Sequence, residues 1–200
     1  MIEEDKEKKG NILYTGYGDN GTTTLYDCKQ HRISKSSILI EALGAVDELN
    51  AYLGIIKVSA KDDNFYIELI DEKKYFDKII DDIQQNLFVI QAELGGSQMT
   101  ISKDELLKTE EMVKKISEEL PPLKSFTISG GSILSSSLDF GRTLARRAER
   151  RIVGVLDEGS RDIGEGTISY MNRLSTILFA LSRYTNHLLS IKEEHPDYNR

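Results

Sequence analysis

The densest chemistry in the chain lies in its arginines. Of the ten present, five fall within ten positions: Arg142, Arg146, Arg147, Arg150 and Arg151. Arg142, Arg146 and Arg150 step by four, so on a helix they line one face, with Glu149 beside Arg146 at i+3. A guanidinium presents a rigid fork of donors that matches phosphate or carboxylate. Like charges stacked at i, i+4 repel mildly, and an anion seated on the row would remove that penalty. A solvated face carrying exposed ion pairs of ~0.3–0.5 kcal/mol each fits the same residues.

A second candidate is Gly16-Tyr17-Gly18-Asp19-Asn20-Gly21, followed by Thr22, Thr23 and Thr24. It matches the dinucleotide fingerprint G-x-G-x-x-G, with Glu41 about 20 residues on. That motif works only between a buried strand and a helix, and neither the threonine run nor the remaining chain offers that context. What survives is a Gly/Thr loop whose amides and hydroxyls can approach an anion, or a turn-rich connection with no ligand. Ser129-Gly130-Gly131-Ser132 precedes a helix, where a serine N-cap is ordinary and an anion site is the less common use. Asp47 and Glu48 read alone as helix-surface acids, and Phe88 and Asn172 as core or helix-surface residues.

These residues need elements to position them, and the chain from about residue 37 onward reads as helix upon helix. Leu39, Ala42, Leu43, Val46, Leu49, Leu53 and Ile56 form one stripe over Ser37 to about Ala60. Lys61 to Asn64 interrupts it, and the segment to Lys74 has no clear period. Phe76, Ile79, Ile80, Ile83, Leu87, Ile90 and Leu94 make a second stripe that stops at Gly95-Gly96. Ser102 with Glu105 has capping-box spacing for a third helix, Lys103–Glu119, which Pro121-Pro122 ends. A fourth helix over Ser132 to about Asp157 buries Leu134, Leu138, Gly141, Ala145, Ala148, Ile152 and Val155. A fifth runs from Thr167 to about Ile191. The fold class is therefore all-α, an antiparallel five-helix bundle preceded by an extended Gly/Thr-rich loop. Residues 1–10 read as a disordered tail, 11–191 as one domain (loop 11–34, bundle 37–191) and 192–200 as a C-terminal tail.

The bulk numbers exclude several classes. Lys and Arg total 26 against 33 Asp and Glu, a net charge of −7, which argues against nucleic acid gripped by bulk electrostatics. No run approaches the ~18–20 apolar residues of a membrane span. The start is a charged run with no apolar core behind it, unlike a secretory signal. Cys28 stands alone, so a reducing, cytoplasmic setting is expected, with no disulfide or zinc knuckle. His31, His187 and His195 lack metal-ligand spacing.

Taken together, the segments resemble the PduO-type ATP:cob(I)alamin adenosyltransferases from about Tyr14 to Asn186. The resemblance is carried by Tyr14-Thr15-x-x-Gly18-Asp19-x-Gly21-x-Thr23, then Glu41-Ala42-x-Gly44-x-Val46-Asp47-Glu48-Leu49-Asn50 and Ile83-Gln84-x-x-Leu87-Phe88. It continues through Gly130-Gly131-Ser132, Arg142-Thr143-x-x-Arg146-Arg147-Ala148-Glu149-Arg150 and Asn172-Arg173-Leu174-Ser175. It implies a homotrimer of five-helix bundles with ATP and corrinoid between subunits. ATP would be wrapped by Thr15, Gly16, Tyr17, Gly18, Thr23, Thr24 and Lys35, joined by Arg146, Glu149, Arg150 and Asn172. Asp47 would pair with Arg142 across the subunit boundary, and Phe88 would lie under the corrin. The implied reaction moves the 5′-deoxyadenosyl group of ATP to cob(I)alamin, with Mg²⁺ sharing the phosphate charge. A cobalamin reductase and an adenosylcobalamin-dependent acceptor are the implied partners. A non-catalytic ATP- or corrinoid-binding delivery or sensing module of the same fold is the alternative. The sequence departs from the family at four places: Gly16 stands where a basic residue is common, Asn20 for lysine, Ser37-Ile38-Leu39 for Asp-Pro-Arg, and Thr176 for aspartate.

Overall fold

A short ribbon comes before the helices. β1 (Thr22–Thr23) and β2 (Ile33–Ser34) pair antiparallel, Thr22 opposite Ser34 and Thr23 opposite Ile33. The structure, a computed structural model, describes residues 15–27, 31–70 and 72–198. Tyr14, Cys28 and the expected tail 1–10 lie outside the described residues.

The first expected stripe becomes the inner face of α1 (Ile38–Asp63). The Ser37 side chain accepts the Ile40 N–H to start the helix, and Asn64, at φ 55°, closes it. Leu39, Ala42, Val46, Leu49, Leu53 and Ile56 are buried, while Leu43 is half-buried against the core. The aperiodic segment that follows folds as a hairpin, β3 (Tyr66–Glu68) with β4 (Lys73–Tyr75), in register Tyr66–Tyr75, Ile67–Lys74 and Glu68–Lys73. Ile67 is the inward residue of β3 and is fully buried, and Phe65 and Leu69, at the same alternating spacing, are half-buried against the core.

α2 (Phe76–Leu94) buries all seven residues of its expected stripe. It turns off at Gly96, where φ is +99° and the Asp27 side chain fills the space a Cβ would need. α3 (Lys103–Glu119) starts with the Ser102 side chain accepting from Glu105 N. α4 (Ile133–Glu158) starts with a reciprocal cap between Ser132 and Ser135 and ends at Gly159 in the left-handed region. Its seven expected stripe residues are all buried. α5 (Glu165–Leu188) has no side-chain cap of its own. Buried Glu93 of α2 serves instead, accepting from Gly164 N at 2.8 Å and from Thr167 Oγ1 at 2.5 Å. A carboxylate at a helix N-terminus meets unpaired amides and the positive end of the helix dipole.

Cross-helix partners give the direction of each helix. Asp47 meets Gln91 and Lys57 meets Asp81, so α1 and α2 are antiparallel. Glu48 meets Arg147 and Glu41 meets Arg151, so α1 and α4 are too. Ser135 meets Ser182 and Glu149 meets Asn172, which makes α4 and α5 antiparallel. α3 lies along α5 in the same sense, through Glu110–Arg173 and Glu119–Tyr184. The five helices thus alternate in direction along the chain around one apolar core. Each fully buried Leu or Ile in it is worth ~1.5–3 kcal/mol of transfer free energy.

Candidate active site

The arginine row divides between two neighbouring helices. Arg147 and Arg151 point to α1, where Arg147 binds Glu48 and Arg151 lies 3.8 Å from Glu41. Arg142, Arg146 and Arg150 follow the face toward α5. Arg142 Nε donates to Asp139 Oδ1 at 2.5 Å, and its guanidinium sits 6.0 Å from the Phe179 ring centre. Arg146 and Arg150 are exposed and form no ion pair among the described residues. Glu149 does not pair with Arg146; its Oε1 accepts from Asn172 Nδ2 at 3.0 Å. Arg173 then donates to Asn172 Oδ1 at 2.9 Å and to Glu110 at 2.8 Å, which fixes the Asn172 amide.

Asp139, which sequence reading passed over, is the buried acid of this edge. Ser129 Oγ donates to its second oxygen, which ties the Ser129-Gly130-Gly131 turn to the arginine helix. Burial pushes its carboxyl up, but the Arg142 and Ser129 hydrogen bonds outweigh that and hold it below the usual carboxylate range. The i, i+3 spacing of Asp139 and Arg142 was the available signal. Beside them opens a cavity of about 350 Å³, lined by Leu123, Phe126, Arg142, Arg146, Ser175 and Phe179 among others. It offers two guanidinium groups on one side and an apolar wall on another. Leu123 and Phe126 also escaped sequence reading, because the stretch after Pro121-Pro122 has no period.

The Gly/Thr loop forms a separate group. Thr15 Oγ1 accepts from Tyr17 N at 3.4 Å, and Gly16 and Gly21 hold left-handed φ of 69° and 74°. Lys35 lies over Gly18, where a Cβ would stand 2.8 Å from its ammonium nitrogen. Thr23 belongs to β1, while Tyr17 and Thr24 are exposed. Asp27, at the end of the described part of this loop, pairs with Arg161 at 2.5 Å, anchoring the loop to the α4–α5 connection.

A third group occupies the outer face of α1 and α2. Asp47 is exposed and accepts from Gln91 Nε2 at 3.4 Å. Phe88, one turn before Gln91, is also exposed and does not line the cavity beside Arg146. Within one chain, then, Arg142 is held by Asp139 and Asp47 by Gln91. The structure gathers Thr15 to Thr24 with Lys35 in one place, Arg142, Arg146, Glu149, Arg150 and Asn172 in a second, and Asp47 with Phe88 in a third.

The sequence model of a family described as cobalamin adenosyltransferase matches residues 13–185. The corrinoid adenosyltransferase PduO of Citrobacter freundii is 37% identical over 182 residues, covering 88% of this chain and 50% of that protein. A corrinoid adenosyltransferase of Bacillus subtilis is 35% identical over 185 residues, covering 87% of this chain and 86% of the relative. The chain spans about half the length of the PduO proteins it matches. Among solved structures, a variant PduO-type ATP:corrinoid adenosyltransferase from Lactobacillus reuteri, complexed with cobalamin and ATP, superposes with a TM-score of 0.80. It is 26% identical and the match covers 94% of this chain and 98% of that one. A second variant from that organism, complexed with ATP, gives a TM-score of 0.78 at 28% identity, covering 92% and 100%.

Proposed function

The chain belongs to the cobalamin adenosyltransferase family, and from that premise we propose that it transfers the 5′-deoxyadenosyl group of ATP to cob(I)alamin. In this reaction the Co(I) electron pair forms the cobalt–carbon bond at C5′ while the C5′–O bond breaks. Its electrons leave with triphosphate. Cob(I)alamin is itself the nucleophile, so the protein has to position ATP and stabilise the leaving group. The observation that carries the reading is the availability of Arg146 and Arg150. They are exposed on the α5 edge of α4 without an acidic partner among the described residues, and Arg146 borders a cavity with an apolar wall.

Thr15 to Gly18, Thr23, Thr24 and Lys35 would wrap ATP, with Arg146 and Arg150 on its phosphates and Glu149 and Asn172 as hydrogen-bonding partners. Mg²⁺ enters as the counter-ion of those phosphates. Mg²⁺ bound to nucleotides keeps most of its ligands as phosphate oxygens and water, so it would need few protein ligands. Phe88 would present an apolar surface beneath the corrin, where a missing axial ligand makes the cobalt easier to reduce. Within one chain Asp47 bonds to Gln91 and Arg142 to Asp139; in the proposed homotrimer, with sites between subunits, Asp47 and Arg142 would pair across the boundary. The proposal includes residues 11–191 as the transferase domain, a cytoplasmic setting, a cobalamin reductase and an adenosylcobalamin-dependent acceptor. No described helix is long and apolar enough to cross a membrane.

The deciding assay mixes the protein, ATP, Mg²⁺ and chemically reduced cobalamin and follows the light-sensitive product by absorbance. Product formation is expected, and ATP binding without product would overturn the transferase reading. Phe88→Ala should impair formation of the reducible cobalt state more than ATP binding; equal loss of both would remove its role. Light scattering should give three copies per particle, and an active monomer would remove the shared site.

A further inference from the structure

The Gly/Thr loop is tied together by an arginine outside the row on α4. Arg32, three residues before Lys35, sends Nε to Thr22 Oγ1 at 2.6 Å and Nη2 to Thr22 O at 2.8 Å and to Tyr17 O. Thr22 Oγ1 in turn donates to Asn20 Oδ1 at 2.6 Å, which also accepts Thr22 N at 3.2 Å. One guanidinium therefore grips both ends of the turn from Tyr17 to Thr22. The backbone contributes little more. The β1–β2 ladder holds two residue pairs, supplemented by Asp19 N to Gly16 O at 3.2 Å, Gly21 N to Gly18 O at 3.1 Å and Lys35 N to Gly21 O at 2.9 Å. A ribbon so short is marginal by itself, and its two left-handed glycines add to the entropy of ordering it.

We propose that Arg32 is a positioning residue of the nucleotide loop, fixing the Tyr17–Thr22 turn so that its amides and Lys35 stand ready for the phosphates before ATP arrives. The inference rests on the ATP assignment above. Bonds to a charged donor hold more strongly than neutral ones, and a loop ordered in advance spares binding the cost of ordering it. Gly16 and Asn20 bring no charge to this turn, so Arg32 and Lys35 are its described Lys and Arg neighbours. No periodicity or motif marks Arg32 in the sequence, because its partners lie ten and fifteen residues away.

The test compares Arg32→Gln and Arg32→Lys in the full chain. Arg32→Gln should speed amide exchange at Gly21, Thr22 and Lys35 about tenfold while α4 amides keep their rates. It should raise the ATP dissociation constant and KM about tenfold and leave kcat at saturating ATP within about twofold. Arg32→Lys keeps the charge but not the fork, and should recover only part of the affinity. Unchanged exchange in Arg32→Gln would overturn the staple. Unchanged ATP affinity, or full recovery by lysine while exchange stays fast, would overturn the positioning role. A wild-type chain that binds no ATP would overturn the nucleotide role together with the proposed function, and the exchange rates would still decide the staple.

Discussion

The two edges of α4 make an instructive contrast. Both carry arginines spaced by four, both are solvent-facing, and they differ in what the adjacent helix offers. On the α1 edge, Glu48 and Glu41 stand opposite Arg147 and Arg151, and the charges cancel locally. On the α5 edge, Asn172, Ser175 and Phe179 stand opposite, and Arg146 and Arg150 form no ion pair among the described residues. Arg142 lies between these conditions, anchored through Nε by Asp139 with its guanidinium 6.0 Å from the Phe179 ring centre. One arginine cluster thus divides into paired and unpaired guanidinium groups according to the carboxylates the next helix supplies.

The largest effect that would break this contrast is on catalysis. Arg146→Ala should lower the adenosylation rate about 100-fold or more, the usual loss when a positioned charge on the transition state is removed. Its thermal midpoint should stay at the wild-type value, and a near-wild-type rate would remove Arg146 from the phosphate site. Next comes Asp139→Asn, expected to lose about 1–3 kcal/mol of stability at pH 7 in urea unfolding. The Asp139 carboxyl is held low in the folded chain. Its contribution is therefore fully present above the unfolded value near 4 and fades as pH falls through the lower folded value. The gap between wild type and variant should narrow in unfolding curves taken below about pH 4, and a gap that widens would contradict the pairing. The smallest effect belongs to the α1 edge. Replacing Arg147 and Arg151 together by alanine should leave the rate within about twofold and lower stability by about 1 kcal/mol or less, a difference that salt removes. A large rate loss there would erase the distinction between the edges.

Much of this arrangement could be read in advance. The stripes of α1, α2 and α4 appeared as apolar steps of three and four, the caps at Ser37 and Ser132 sit where the first and last of those stripes begin, and Ser102 starts α3. The hairpin of β3 and β4 stayed hidden although Phe65, Ile67 and Leu69 alternate toward the core, because that run is short and its partner strand, Lys73–Tyr75, carries no apolar alternation. Glu93 also gave no sign of capping α5, since its partners Gly164 and Thr167 are 71 and 74 residues away. The arginine row could be seen, but not its division.

Local spacing along the chain was enough to decide where helices form, which side of α1, α2 and α4 faces inward, and that five arginines would stand on one of them. Those properties follow from the helical repeat and from capping chemistry within a few residues. Packing decided the rest: which arginines meet acids on α1, how Asp139 and Ser129 hold Arg142, and how Arg32 closes the Gly/Thr loop. Each of those outcomes depends on partners brought close by the tertiary fold, and a guanidinium becomes a structural ion pair or an open anion site according to the groups that end up within hydrogen-bond reach.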